Sequence, residues 1–382
     1  MVLLLVLLAA GCGDDGDDAA PGATESPDAS PGATRTSAPG QTAAPGSPPP
    51  RGEGAKLTVD SNNDVVAGDG ALTLREAILL STGEMAVADL DSGEKDQVDG
   101  DPGAKSGDVI TFAGQFAGDE AIALESPLPA LVSGGDTIDG SGSEGVVIDG
   151  GDRTFACLEI ASSNNAVWGL QIYECRTGIT VTEESAENEI GGSSEGRGNV
   201  ISGNVVGMEL RGQGNVIRGN LIGLDASGEQ ALGNEFEGIW ITPRAKDNVI
   251  GGQGEGEGNV ISGNELFAIS VDGTTGNIIA GNLIGLNSSG TKAVENRYGI
   301  TVQAGATGNV IGGSESSDRN VISASNVGLA FRDEGTTGNT VRGNSFGTDV
   351  TGEVEIPNVV DIVTQEGAGE NVVEANRTKT VR

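Results

Sequence analysis

The sequence predicts an all-β chain folded as a right-handed, single-stranded parallel β-helix with about 30 residues per coil and a short N-terminal capping helix. Three observations lead to this fold class. Glycine accounts for 64 of the 382 residues and aromatic residues for only 3%, which suits repeated tight turns better than a core of large rings. Short β-type runs bounded by Gly and Asn recur along the chain, and they recur with a fixed period.

The period is visible in segments that contain asparagine. Asn199-Val-Ile-Ser-Gly-Asn204 recurs at Asn259 and, altered, at Asn320, and two similar series accompany it. Each series advances by 60 to 62 residues, whereas a Gly-apolar-x-apolar motif that starts at Gly178 advances by 29 to 31. The repeating unit is therefore about 30 residues long, and two alternating versions of it produce the longer period.

Each unit contains three β-type runs that are too short for a helix. In one unit these runs are residues 178–181, 188–190 and 199–201. A single coil cannot bury its own apolar side, but stacked coils can, because each strand pairs with the same strand one coil above, about 4.8 Å away. Three strands per coil with right-handed crossovers predict the β-helix, with Ile and Val forming interior columns.

The repeated asparagines are predicted to be structural. Asn tolerates left-handed turns, and its amide can pair with the amide stacked above it. Alternate units also carry longer loops at residues 225–237, 287–298 and 349–357, which should leave one corner of the helix two coils apart. Such a row suits a binding protein, but a turn closed by its own Asp or Asn side chain is the favoured explanation of each loop.

Residues 55–157 are predicted to form the N-terminal cap and first coils, and residues 158–382 the repeats. Residues 74–80, Leu-Arg-Glu-Ala-Ile-Leu-Leu, are the best helix candidate by composition and spacing. A helix at this end is expected, because an open β-helix end exposes strand edges that pair with other chains.

The first 54 residues predict export. Residues 2–10 are apolar but too few to span a membrane, and they end in Leu8-Ala9-Ala10-Gly11-Cys12. This segment resembles the lipobox of bacterial lipoproteins, which implies that residues 1–12 are a signal segment and that Cys12 carries the lipid. An ordinary signal peptide with an incidental cysteine is the alternative. Residues 13–54, rich in Pro, Gly, Ala and Asp, are predicted to be a disordered tether.

The cap carries a family resemblance. Gly70-Ala-Leu-Thr-Leu-Arg-Glu-Ala-Ile78, together with residues 58–60 and 108–112, resembles the CSLREA segment of bacterial surface proteins. The repeats resemble the pectate-lyase-like β-helix repeats that often follow it, and the likeness covers residues 56–376. Ala71-Leu72-Thr73 departs from the usual Cys-Ser approach, and the Asp- and Gly-rich insertion at residues 81–107 is also unusual. The resemblance implies the fold, whereas many members of the group have no defined activity.

Charge excludes some functions. A net charge of −35 repels phosphate backbones, so nucleic acid is not an expected partner. The chain has no histidine and therefore lacks the commonest acid–base residue and metal ligand. No two acids fall in adjacent coils of one outward column, as a glycoside hydrolase would require.

Two clusters are candidate binding sites. Glu209, Arg211, Trp240 and Asp272 are expected to form one outward patch in which Trp240 offers a flat surface to a sugar ring. The alternative is a lone exposed aromatic among solvated charges. The second cluster lies in the acidic insertion, where calcium is the candidate cofactor because it prefers oxygen ligands on flexible loops. A solvated acidic loop is the alternative there. The candidate calcium ligands are Asp89, Asp91, Glu94 and Asp96.

Cys157 and Cys175 lie eighteen residues apart. They can bridge neighbouring coils in an oxidising exterior, or serve as small buried apolar side chains. The leading functional hypothesis is a cell-surface structural, adhesive or glycan-binding module whose partners are the membrane, through its lipid, and a polysaccharide or another surface protein. The alternative is a polysaccharide lyase or glycoside hydrolase.

Overall fold

The computed structural model describes residues 54–104, 107–116, 121–143 and 145–379, which belong to one compact unit. Cys12, the signal segment and the predicted tether up to residue 53 lie outside the described residues. Within the described ranges, no helix has both the length and the apolar character needed to cross a membrane.

The chain is a parallel β-helix built from three long sheets, which confirms the predicted fold class. From Ala156 onward, sequential strands lie in the three sheets in turn, and each pairs with strands one coil away. The first strand, Lys56–Val59, also pairs antiparallel with Val98–Asp99.

The first sheet has twelve strands: Val98–Asp99, Lys56–Val59, Val109–Phe112, Thr137–Asp139, Ala166–Trp168, Glu189–Ile190, Val216–Ile217, Val249–Gly251, Ile278–Ala280, Val310–Gly312, Thr340–Arg342 and Val372–Glu374. The second sheet has eight: Ala156–Ile160, Thr177–Val181, Val206–Leu210, Glu237–Ile241, Phe267–Asp272, Asn296–Gln303, Ser325–Phe331 and Val360–Thr364. The third sheet has nine: Ile122–Ala123, Val146–Asp149, Leu170–Tyr173, Val200–Ile201, Leu221–Ile222, Val260–Ile261, Leu283–Ile284, Val321–Ile322 and Ser345–Phe346.

Columns of branched aliphatic side chains fill the interior. In the second sheet, Ile239 pairs with Ile269 and Ile269 with Ile300, and all three are fully buried. Burying one such side chain contributes about 1.5–3 kcal/mol. Because each residue in a column contacts its equivalents above and below, the exterior residues are free to vary without disturbing the core.

A helix covers the N-terminal end, as predicted. The α-helix Leu74–Ser81 starts at Thr73, whose hydroxyl accepts a hydrogen bond from the Glu76 backbone N–H. The Glu76 carboxylate in turn accepts from the Thr73 backbone N–H at 3.0 Å, completing a capping box. Leu74 and Ile78 are fully buried against the first strands. A second short helix, Ser92–Lys95, and the 3₁₀ turns Val87–Asp89, Gly114–Phe116 and Ser316–Asp318 complete the helical content of the described residues.

The asparagines stack into three ladders, which confirms their predicted structural role. In each step an Asn side-chain oxygen accepts from both the backbone N–H and the amide of the Asn one coil earlier. The first ladder contains Asn165, Asn188, Asn215, Asn248, Asn277, Asn309, Asn339 and Asn371. The second contains Asn199, Asn220, Asn259, Asn282, Asn320, Asn344 and Asn376, and the third Asn204, Asn234, Asn264 and Asn296.

The first ladder begins with two aspartates instead of asparagines. Asp136 N–H donates to the Asn165 side-chain oxygen at 3.1 Å, and Asp108 N–H donates to the Asp136 carboxylate at 3.0 Å. Asp136 is fully buried. Burial, opposed by its hydrogen bonds and aided by the charge of Asp108, raises the pKa of Asp136 above its usual value.

We expect Asp136→Asn to stabilise the fold at neutral pH by about 1 kcal/mol, because an amide removes the buried charge and extends the ladder. Asp136 keeps its proton to a higher pH in the folded chain than in the unfolded chain, where its pKa is near 3.8. The contribution of Asp136 to stability is therefore complete below the pKa of the unfolded chain, and it is lost as the pH rises through the higher pKa of the folded chain. Urea unfolding at pH 4 and pH 7 measures the difference. The exposed Asp101→Asn is the control, and an Asp136→Asn gain that is equal at both pH values would contradict the explanation.

Candidate functional site

The outer surface of the second sheet carries three columns of side chains. Trp240 points outward because Ile239 and Ile241 on either side of it are buried in the core. We call the outer surface of the four strands Glu237–Ile241, Phe267–Asp272, Asn296–Gln303 and Ser325–Phe331 the aromatic face. Its first column contains Glu237, Phe267, Tyr298 and Val327, its middle column Trp240, Ser270, Thr301 and Ala330, and its third column Thr242, Asp272, Gln303 and Arg332.

Trp240 and Asp272, two of the predicted site residues, are directly bonded. The indole N–H donates to Asp272 Oδ2 at 2.9 Å. The other oxygen of Asp272 accepts from Ser270 Oγ at 2.7 Å and from Gln303 Nε2 at 3.0 Å. The carboxylate therefore fixes the orientation of the indole, and it presents a preorganised polar group beside an aromatic surface.

Glu209 and Arg211, the other two predicted residues, form an adjacent ion pair. Arg211 donates to Glu209 Oε2 at 2.8 Å, and this hydrogen bond raises the pKa of Arg211. Glu209 lies in register with Trp240 on the neighbouring strand. The structure thus brings the four predicted residues to one surface, as two bonded pairs.

The aromatic residues of the first column were not among the predicted site residues. Phe267 and Tyr298 stack with ring centroids 5.2 Å apart, and the Arg332 guanidinium lies 4.5 Å from the Tyr298 centroid and 5.6 Å from that of Phe267. Phe267 and Tyr298 each precede the small residue that begins the Gly-apolar-x-apolar motif. The predicted outward positions all follow that residue. Two aromatics at the same motif position in successive repeats were the available signal.

Glu237, at the start of the same column, was also not predicted as a site residue. It is half-buried at the start of its strand, three residues before Trp240. Burial, followed by the charges of Asp272 and Glu209, raises the pKa of Glu237. Three carboxyl groups, those of Glu237, Asp272 and Glu209, therefore lie around Trp240.

The predicted calcium ligands do not converge. Asp91 accepts from the backbone N–H groups of Gly93 and Glu94, and Glu94 accepts from those of Asp91 and Asp69. Asp89 accepts from Ala86 N–H, and Asp96 ends the second helix. Within the described ranges no three acidic or cysteine side chains form a group suited to a metal ion. These carboxylates cap backbone turns because the insertion folds into short helices.

The three long loops leave the same corner and stack on one another. Ser288 N–H donates to Gly228 O, and Val350 N–H donates to Gly290 O, both at 2.9 Å. Each loop is closed by its own side chain: Asp225 accepts from the Gln230 N–H at 3.1 Å, and Asn287 and Asp349 make equivalent bonds. The loops are therefore built as Asx-closed turns, the structural alternative that the sequence left open.

Cys157 and Cys175 form a disulfide between neighbouring coils, with Cα atoms 5.7 Å apart. Both residues are fully buried. The Ala156–Thr177 backbone pairing brings the two segments together, so the bridge joins the strand Ala156–Ile160 to the turn that precedes its neighbour Thr177–Val181.

The chain has distant structural likenesses among solved proteins. No family model matches the chain, and no curated protein matches its sequence. Among solved structures, the alginate lyase from Paenibacillus sp. str. FPU-7 aligns with a TM-score of 0.42 and 17% identity, over 86% of this chain and 99% of that one. The Dettilon tailspike protein (gp208) gives 0.43 and 17%, over 71% and 55%. The DFA-IIIase from Arthrobacter chlorophenolicus A6 gives 0.37 and 13%, over 72% and 83%.

Proposed function

We propose that this chain is an exported, lipid-anchored β-helix protein that binds a polysaccharide along its aromatic face. Cys12 supplies the anchor, and residues 13–54 hold the β-helix away from the membrane. The bound polysaccharide makes the protein an adhesive or structural module of the cell surface.

The distribution of aromatic residues carries this proposal. The chain has two Trp, two Tyr and seven Phe, so it has few large rings for any purpose. Yet Phe236, Trp240, Phe267 and Tyr298 lie on the outer side of three successive coils, away from the interior columns; Phe236 is exposed, Trp240 and Tyr298 are half-buried, and neighbouring side chains cover Phe267. Phe236 is 48% exposed. Aromatic rings kept outside the core in this way are typical of a surface that binds a ligand.

The spacing of these rings suits an extended chain of sugars. Trp240 and Tyr298 are two coils apart, a rise of about 10 Å along the helix axis, which is close to the length of two linked pyranose rings. Asp272, Gln303 and Glu209 lie beside the rings and offer hydrogen bonds to sugar hydroxyls. Apolar ring faces flanked by a few fixed polar groups are the usual composition of a carbohydrate site.

We expect Trp240→Ala to weaken binding to the recognised polysaccharide at least about tenfold, because a buried aromatic contact of this kind contributes about 1.4 kcal/mol or more. A glycan array first identifies the ligand, and calorimetry then measures both proteins. Trp168→Ala is the matched control, since Trp168 lies in the first sheet against Arg197. Equal affinity of wild type and Trp240→Ala, with normal far-UV circular dichroism, would remove the aromatic face from the proposal.

The same panel also tests the enzymatic alternative. Each polysaccharide is incubated with the protein and assayed for new reducing ends and unsaturated products. Accumulation of either would identify a glycoside hydrolase or a polysaccharide lyase, with Glu237 and Asp272 as the first residues to substitute. Binding without products identifies the binding module proposed here.

A further inference from the structure

Two buried polar atoms on the aromatic face have no hydrogen-bond partner. They are Thr301 Oγ1 and Arg332 Nε. Buried polar groups are almost always paired, so an orphan on a surface that already carries binding features points to a missing acceptor. Two such atoms on neighbouring strands are a stronger indication than one.

The register explains why both atoms are buried on an outer surface. Thr301 lies in the middle column between Ser270 and Ala330, and its fractional exposure is 0% although it points away from the core. Arg332 starts in the third column, where its N–H donates to Val302 O, and its guanidinium reaches Tyr298 in the first column. Its side chain must therefore cross the middle column, in which Thr301 lies.

The guanidinium of Arg332 contacts aromatic rings and not a carboxylate. Among the described residues Arg332 forms no ion pair, unlike Arg211 beside the same surface. Its contacts on the aromatic face are the rings of Tyr298 and Phe267. A charged donor held against aromatic rings without an oxygen partner is ready to accept one from a ligand.

The charge around this pair selects the kind of oxygen. Asp272, Glu237 and Glu209 lie on or beside the same surface, and the whole chain carries a net charge of −35. A glycan with a carboxylate on every sugar would place further negative charge next to these groups. An uncharged carbonyl oxygen meets the two donors without that repulsion.

We infer that Thr301 and Arg332 form a subsite for the acetamido group of an N-acetylated, uncharged glycan. On binding, the Arg332 guanidinium moves outward from the Tyr298 ring, and the acetamido oxygen accepts from Arg332 Nε and Thr301 Oγ1. The acetamido methyl takes the place of the guanidinium against the Tyr298 ring. This subsite rests on the proposed function, since it requires a glycan on the aromatic face.

The test compares two oligosaccharides that share a backbone and differ in the substituent at one carbon. Calorimetry measures the binding of N-acetylated chitohexaose and of cellohexaose to the wild-type protein. We expect chitohexaose to bind at least about tenfold more tightly, because cellohexaose leaves both donors unpaired. Thr301→Val, which keeps the shape and removes the hydroxyl, and Arg332→Gln should each bring the ratio of the two affinities close to one.

Thr180→Val is the matched control. It makes the same change in the same outward column four coils away, and should leave the ratio as it is in wild type. Thr301→Val removes an unpaired buried hydroxyl, so a normal unfolding midpoint in urea shows that lost selectivity does not reflect misfolding.

The outcomes separate this inference from the proposed function. Equal affinities of wild type for the two oligosaccharides, or tighter binding of oligogalacturonate than of either, would overturn the acetamido subsite while leaving polysaccharide binding intact. Unchanged selectivity in Thr301→Val and Arg332→Gln would also overturn it, and would assign the two orphan atoms to an ordinary buried water. Failure to bind any glycan on the array would remove the proposed function itself.

Discussion

Gly285→Ala is expected to destabilise the β-helix by about 2–5 kcal/mol, among the largest effects available from one methyl group. Gly285 ends the strand Leu283–Ile284 with φ of +80°. A side chain in that backbone conformation costs about 1–2 kcal/mol. A Cβ atom there would also collide with the backbone oxygen of Ser323 in the next coil, and it would lie 2.9 Å from the Ser323 carbonyl carbon. Overpacking against a fixed backbone adds about 1–3 kcal/mol.

Gly338→Ala separates the two contributions. Gly338 has a similar φ of +68°, but a Cβ there meets nothing within 4 Å. It should lose only the conformational part, about 1–2 kcal/mol. Urea unfolding followed by circular dichroism measures both variants. Equal losses would show that coil contact at Gly285 contributes nothing, and that the glycines serve only the turn.

The close approach between such glycines and the backbone of the next coil explains why the fold could be predicted from the sequence. Gly223 meets Ser262 O as Gly285 meets Ser323 O, and Gly251 meets Ala280 O. One backbone geometry repeated in every coil imposes the same residue at the same position, so the period reports the architecture directly. The capping helix was equally readable, since Thr73 and Glu76 form a local capping box.

Only part of the candidate site could be predicted from the sequence, for a physical reason. Trp240 and Asp272 lie 32 residues apart, and the coil period placed them side by side. Arg332 reaches Tyr298 by crossing a column, and the period gives no information on the direction of a long side chain. Outward positions bear no repeated constraint, so their contacts follow from packing that a repeat does not encode.

The acidic insertion shows that composition alone does not predict a binding site. Its carboxylates matched the composition of a calcium loop, but ligand composition does not fix whether side chains converge. Asp91 and Glu94 instead satisfy backbone N–H groups at a helix start. Asp136, by contrast, could have been found: Gly135-Asp136-Thr-Ile occupies the place of Gly-Asn-Val-Ile, with Asp in the position of the ladder residue.

Asn259→Ala should destabilise the fold by about 2–4 kcal/mol, because Asn259 is fully buried in the middle of a ladder. Its amide donates to Ile217 O at 2.8 Å and to the Asn282 side-chain oxygen at 3.0 Å. Its own oxygen accepts from the Asn220 backbone N–H at 3.1 Å and the Asn220 amide at 2.9 Å. Alanine removes these side-chain hydrogen bonds to the coils on both sides, and water cannot reach the buried partners; the Asn282 oxygen keeps only the bond from the Asn259 backbone N–H at 3.0 Å.

Asn326→Ala is the matched control, since Asn326 is exposed and belongs to none of the three ladders; it should change stability by less than about 0.5 kcal/mol.

Asn259→Asp makes the test sharper. It keeps the acceptor and the shape but replaces a donor with a buried charge, so it should be worse than alanine at pH 7 and recover as pH falls. Asp136 tolerates this chemistry because it stands at the start of its ladder, where Asp108 N–H and the Ser133 hydroxyl donate to its carboxylate. If Asn259→Asp were as stable as wild type at neutral pH, the amide ladder would be a consequence of coil stacking and not one of the forces that hold the coils together.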